Sequence, residues 1–204
     1  PRPAGPPLLT ALLIVAGAYL IGSVSFAVVV SRAFGLPDPH DYGSGNPGAT
    51  NVLRTGNKGA ALLTLAGDAV KGWLGVFLAQ MLVARTGAPE ACVPLAAFAV
   101  FFGHLFPVFH GFKGGKGVAT MAGVVFALYW PLGLALFVVW AVMAFGFKIS
   151  SLAALTAAAL LPLGAFYVFG MSLTAWMMVP ICVLLFWRHR ANIRQMMQGK
   201  ERTI

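Results

Sequence analysis

The stretch Leu8–Val30, LLTALLIVAGAYLIGSVSFAVVV, carries no charged residue and ends at Ser31-Arg32. A helix crossing the hydrocarbon core of a bilayer needs about 20 such residues. Backbone polar groups in lipid have to be satisfied internally, and a helix does this within one segment. The stretch therefore reads as one membrane-spanning helix. The rest of the chain has the same character: of 204 residues, 59% are hydrophobic and 9% charged, whereas a soluble domain carries about 25% charged residues. Such a chain cannot cover a globule with polar groups. The expected fold is an all-α integral membrane protein forming a single transmembrane domain over residues 1–204.

Leu36–Lys58 is the longest polar stretch, rich in Gly, Pro, Asn and Asp. Gly59–Ala84 is apolar but interrupted by Gly67-Asp68 and Lys71-Gly72, which suggests a broken helix lining something polar. After a short turn at Arg85–Glu90 comes a span over Ala91–Phe109. Val118–Phe147 is too long for one span, and Pro131 divides it in two. Leu152–Phe169 and Leu173–Trp187 follow, and from Arg188 the chain is basic. That makes about seven transmembrane helices.

The fourteen basic residues set an orientation. With the N-terminus outside, twelve of them fall on the inner face and two, Arg2 and Arg85, on the outer one. Cytoplasmic loops carry the excess of Lys and Arg, so the C-terminus and every polar knot are expected on the cytoplasmic side. The first apolar run is too long for a cleavable signal peptide and ends in Arg32. The net charge of +9 is scattered between apolar spans, which argues against nucleic acid and for anionic lipid headgroups and phosphorylated substrates. Cys92 and Cys182 lie in or beside apolar runs, far apart, with no disulfide or metal spacing.

Four constellations have the composition of binding sites. In Gly111-Phe112-Lys113-Gly114-Gly115-Lys116-Gly117, four glycines and two lysines stand between apolar runs. Exposed N–H groups of such a turn, a following helix start and two ammonium groups suit a phosphate. A nucleotide P-loop is excluded, because His110 stands where its upstream glycine belongs and Gly117 where its Ser or Thr belongs. His104, just upstream, has two readings, a ligand contact or a group satisfied within the bundle. The second constellation is Gly43-Ser44-Gly45-Asn46-Pro47-Gly48-Ala49-Thr50-Asn51-Val52-Leu53-Arg54. Asn46-Pro47 reads as N-cap and first helical residue, with Thr50, Asn51 and Arg54 at roughly helical spacing. The third is Lys148 with Ser150 and Ser151, either capping the next helix or touching a ligand. The fourth is Arg188-His189-Arg190-Ala191-Asn192-Ile193-Arg194, whose arginines read either as a stop-transfer cluster or as ligand contacts, and in which His189 and Asn192 share a helix face at a spacing suited to one ligand.

Several chemistries are missing. No acid stands five residues after any histidine, no Gly-x-Ser-x-Gly elbow occurs, and no aspartate cluster could hold two metals. No internal repeat supports a transporter. The groups present can position phosphates and stabilise developing negative charge.

The blocks Gly43–Arg54, Gly-His-x-Phe-Pro-Val-Phe from Gly103, Phe112–Thr120 and Arg-His-x-x-Asn-Ile from Arg188 resemble, in order, the signature blocks of the bacterial acyl-phosphate:glycerol-3-phosphate acyltransferases, the PlsY family. One departure is Lys148-Ile149, where the family pattern has an arginine and an aromatic. The resemblance implies a seven-helix, multi-pass enzyme of the bacterial inner membrane with its active site facing the cytoplasm. It would acylate sn-glycerol 3-phosphate from acyl phosphate, releasing lysophosphatidic acid and inorganic phosphate, in the first step of phospholipid biosynthesis. No cofactor, metal or obligate protein partner is implied. The family's functional residues fall on Ser44, Arg54, Lys116, His189 and Asn192, with Ser151 and His104 as additions. Asn46, Thr50, Asn51, Lys113, Gly114, Gly115, Gly117, Lys148 and Ser150 complete the candidate substrate contacts. An acyl phosphate is already activated, so the donor's own phosphate is expected to take the proton, with no enzyme nucleophile. The rival classes are an anion carrier, which would form no covalent product, and a structural membrane subunit, which would tolerate alanine at Arg54 and Lys116.

Overall fold

The computed structural model describes residues 7–201 and 203. Among them the regular structure is helical: α1 Pro7–Gly22, α2 Phe26–Ala33, α3 Ala49–Leu53, α4 Lys58–Thr86, α5 Cys92–Leu105, a 3-10 turn Val108–His110, α6 Val118–Leu128, α7 Trp130–Phe147, α8 Ser150–Phe169, α9 Leu173–Arg188 and α10 Arg190–Met197. Four helices, α4, α5 with its 3-10 turn, α7 and α8, are long and apolar enough to cross a membrane, and α1 with α2 makes a fifth span if counted as one. α6 and α9 are apolar but shorter. Large side chains such as Leu8, Phe145 and Tyr167 are exposed, as expected where the solvent is lipid. The chain divides into two compact units, Pro1–Leu128 and Tyr129–Ile204.

In the first unit, α1 packs on α5 and α4 on α6. Glycine sets how closely. A Cβ on Gly22 would overlap the Val100 carbonyl, and one on Gly103 the Tyr19 carbonyl. Gly72 and Gly123 make the same close approach to the Thr120 and Ala69 carbonyls. Between helices in lipid, dispersion contacts replace the hydrophobic effect, and small residues let backbones meet.

Two expectations change here. Leu8–Val30 is not one straight helix: α1 and α2 are bent by 43° at Ser23-Val24-Ser25. The bend is served from outside. Lys71 Nζ donates to the Val24 carbonyl at 2.6 Å, and Ser23 Oγ accepts the Val108 N–H at 3.4 Å. Conversely, α4 is one continuous helix of 29 residues through Asp68 and Lys71. These two are three residues apart on one face, and their charges meet at 2.8 Å. The pair compensates itself, so no break is required. Asn57 caps α4 by accepting from the Ala60 N–H at 2.9 Å, and Gly87, with φ 72°, closes its C-terminus.

In the second unit, α8 packs against both α7 and α9. α7 opens after Tyr129 with Pro131 in its first turn, where a missing N–H costs nothing. That is the division expected at Pro131. α9 and α10 meet at His189, whose backbone leaves the helical region at φ −93°, ψ 5°.

Candidate active site

The Gly43–Arg54 block is organised by Asn51. Its Oδ1 accepts from the Ser44 N–H at 3.0 Å, the Ser44 hydroxyl at 3.2 Å and an Arg54 guanidinium N–H at 3.1 Å. Its Nδ2 donates to the carbonyls of Pro39 at 2.9 Å and Tyr42 at 3.2 Å. Asn51 is 2% exposed, while Ser44 and Arg54 are exposed. The amide is thus an internal clamp that presents a hydroxyl and a guanidinium to the outside. Gly43 lies at φ 61°, and a Cβ there would strike the Asn51 oxygen. The helix expected to begin at Pro47 is instead the five-residue α3, beginning at Ala49 behind Gly48. Asn46 is half-buried and Thr50 exposed.

The glycine–lysine loop runs directly into α6, whose first residue, Val118, follows Gly117. Its glycines have two different jobs. Gly111 and Gly117 take left-handed backbone, at φ 57° and 87°. Gly114 and Gly115 are buried and allow close approach: the Gly115 N–H donates to the His104 carbonyl at 3.1 Å, and a Cβ on Gly115 would overlap the His104 ring and crowd the Pro47 carbonyl. Lys113 is exposed and Lys116 half-buried.

The first unit therefore brings these two blocks together, since Pro47 belongs to one and Gly115 to the other. A second link comes from a residue that the sequence analysis passes over. His40 Nε2 donates to the Lys113 carbonyl at 2.9 Å, while His40 Nδ1 lies 2.6 Å from Asp38 Oδ1. The His40 backbone N–H, 3.0 Å from the same oxygen, together with the ring holds the Asp38 carboxyl below the usual carboxylate range. Beneath the loop His104 is buried, with Nδ1 3.6 Å from Asp68.

The second unit holds the other candidates. His189 is buried at the α9–α10 junction, and its Nδ1 donates to the Leu185 carbonyl at 2.9 Å, which fixes the ring. Ser151 does not cap α8, whose N-cap is Ile149. Its hydroxyl donates to Glu201 Oε1 at 2.6 Å, and the Asn192 amide donates to the same oxygen at 2.6 Å. Glu201 thus joins two candidates that lie 41 positions apart in sequence, and nothing in its local sequence announces this. Ser150 is half-buried. Lys148 is exposed and ends α7 in left-handed backbone at φ 56°. Arg190 lies over the Trp187 ring, 4.6 Å from its centroid. Among the described residues, no three His, Cys, Asp or Glu stand together as metal ligands.

These features define a multi-pass helical membrane protein with polar loops held at helix ends. The chain belongs to the glycerol-3-phosphate acyltransferase family, whose model matches residues 12–199. The glycerol-3-phosphate acyltransferase of Ralstonia nicotianae is 58% identical over 187 residues, covering 92% of this chain and 90% of the relative. That of Burkholderia ambifaria is 57% identical over 199 residues, covering 97% and 90%. Two crystal structures of PlsY, an integral membrane glycerol 3-phosphate acyltransferase, share the fold at 37% identity, each covering 95% of both chains. The glycerol 3-phosphate form has a TM-score of 0.87 and the lysophosphatidic acid form 0.84.

Proposed function

We propose that this chain transfers a fatty acyl group from acyl phosphate to sn-glycerol 3-phosphate, giving lysophosphatidic acid and inorganic phosphate at the start of phospholipid synthesis. The observation that carries the reading is the meeting of two blocks in one unit. The exposed Ser44 and Arg54, set by Asn51, belong to one, and the glycine–lysine loop leading into α6 belongs to the other. A guanidinium fork, an ammonium and the start of a helix are groups that bind phosphate. The related PlsY structures are described as glycerol 3-phosphate and lysophosphatidic acid forms.

In the reaction, the acceptor hydroxyl oxygen attacks the acyl carbonyl carbon. The carbon–oxygen bond to phosphate breaks, and phosphate leaves with the electron pair. The hydroxyl proton passes to an oxygen of that same phosphate, so neither an enzyme nucleophile nor an enzyme base is required. Lys116 and the loop N–H groups hold one phosphate. Arg54 and Ser44 hold the other or orient the hydroxyl, and His189 and Asn192 are assigned to substrate contacts on the sequence pattern. Two single negative charges roughly 5 Å apart repel by about 3 kcal/mol at an effective dielectric of 20, and cations offset this. Asn46, Thr50, Lys113, Lys148, Ser150 and Ser151 are assigned to substrate contacts on the sequence pattern, and Asn51 to setting Ser44 and Arg54. The protein sits in the bacterial inner membrane with seven crossings, its N-terminus outside and its active site facing the cytoplasm.

Purified protein in detergent, given acyl phosphate and glycerol 3-phosphate, is expected to form lysophosphatidic acid and phosphate in equal amounts. Absence of both products overturns the reading. An acyl thioester assayed in parallel tests the donor: equal turnover with it removes the preference for acyl phosphate. Substrate assistance is tested by the pH–rate profile, in which ionisation of an enzyme carboxylate would contradict it.

A further inference from the structure

Inside the first unit lies a polar group that the proposed chemistry does not use. Asp68 and Lys71 on α4 are each 3% exposed. A buried ion pair is a weak source of stability, because the charges lose their hydration and an apolar pair of similar volume often does as well. Ionisable residues within a membrane helix mark function more often than packing. This pair also has contacts in two directions. Lys71 bonds the Val24 carbonyl at the α1–α2 bend. Asp68 approaches His104, with Oδ1 and Nδ1 3.6 Å apart.

His104 is itself 6% exposed and supports the glycine–lysine loop twice. Its carbonyl takes the Gly115 N–H, and its ring lies so close to Gly115 that no side chain fits between them. A negative charge beside Nδ1 favours the ring orientation that turns Nδ1–H toward α4 and Nε2 toward Gly115. An uncharged neighbour exerts a weaker preference.

We infer that Asp68 is a positioning residue for phosphate binding: through the His104 ring it holds Gly114-Gly115-Lys116 where the loop grips one substrate phosphate. The inference rests on the acyl-transfer reading above. Lys71 is the partner that Asp68 meets at 2.8 Å, and its bond to Val24 anchors the pair to a second helix. Asp68 does not touch substrate. Its effect is on where the loop stands, and displacement of a binding group by about 1 Å can cost up to about 100-fold.

The test is steady-state kinetics of Asp68→Asn, which keeps the size of the side chain and removes its charge. Only one of the two phosphates is held by the loop. The KM for one substrate is therefore expected to rise about tenfold, with the KM for the other within about twofold of wild type and kcat largely kept. A merely structural role would lower the amount of active protein and leave both KM values unchanged, which overturns the inference. Equal rises in both KM values, or loss of turnover at saturation in folded protein, also overturn it, the latter because it would put Asp68 in the chemical step. If Asp68→Asn does not yield monodisperse protein, His104→Gln reads the same KM split. Where both fold, the double variant is expected to be no worse than the worse single one, since the two residues act in series; multiplied effects overturn this. Wild-type protein that makes no lysophosphatidic acid would break the functional reading before any variant is assayed. An active wild type with an unselective Asp68→Asn breaks only this inference.

Discussion

The two units hold their polar groups by different means. In the first, close approach at glycines works beside the Asn51 clamp: Gly115 lies against His104 and Pro47, Gly43 lies against Asn51, and α6 starts where the loop ends. In the second, side chains do it: one carboxylate oxygen of Glu201 gathers Ser151 and Asn192, and the Leu185 carbonyl fixes His189. A site packed around glycines leaves no room for an added carbon. A site gathered by one carboxylate has the opposite sensitivity. It tolerates changes of volume around it and depends on a single charge.

That contrast can be broken at four places. The largest effect is expected from Lys116→Ala, which removes an ammonium from the loop. Turnover should fall by about 10³-fold, with thermal unfolding in detergent unchanged. Retained turnover removes Lys116 from the site. Gly115→Ala should come next, at about 10²-fold, because the new methyl displaces the loop from His104 and Pro47. A wild-type rate would show that the loop yields, and that the backbone is less exacting than its packing implies. Glu201→Gln keeps the shape in the second unit and removes the charge. With two charge-assisted bonds weakened, activity should fall by about tenfold and the melting temperature with it. If Glu201→Gln is silent, Ser151 and Asn192 are held by something other than charge. The smallest effect belongs to His40→Ala, which releases the Lys113 carbonyl at the rim of the first site. A loss of about threefold is expected, in line with one hydrogen bond of net worth about 1 kcal/mol or less. A loss comparable to that of Gly115→Ala would make His40 part of the cradle itself.

How much was legible beforehand follows the same division. Apolar spans can be read because lipid demands long uncharged runs, and Pro131 marks its helix start through its own geometry. The close turns of the glycine–lysine loop are likewise written in its residues. Long-range support is not. The bend at Ser23-Val24-Ser25 is hidden because serines sit easily in membrane helices, and Ser23 does bond back to the Tyr19 carbonyl at 2.9 Å. What sustains the bend is Lys71, on another helix. The same lysine, read in its own neighbourhood, suggested a break in α4 that its pairing with Asp68 makes unnecessary. Asn51 looked like one polar residue among several on a helix face. Only its five bonds reveal a clamp. Glu201 and His40 had no local pattern to betray them, since each acts on residues that are distant in sequence.

The bond from Lys71 to Val24 also bears on the order in which the chain enters the membrane. The two residues are 47 positions apart, so α1 and α2 emerge from the ribosome before α4. An unserved carbonyl in hydrocarbon costs on the order of several kcal/mol. Until α4 arrives, the first segment is therefore favoured either as a straight helix, with Val24 bonded within it, or as a bend kept in contact with water. The bent form becomes the stable one only when α4 inserts and brings its ammonium group. The N-terminal span is therefore expected to take its final shape only once α4 is integrated.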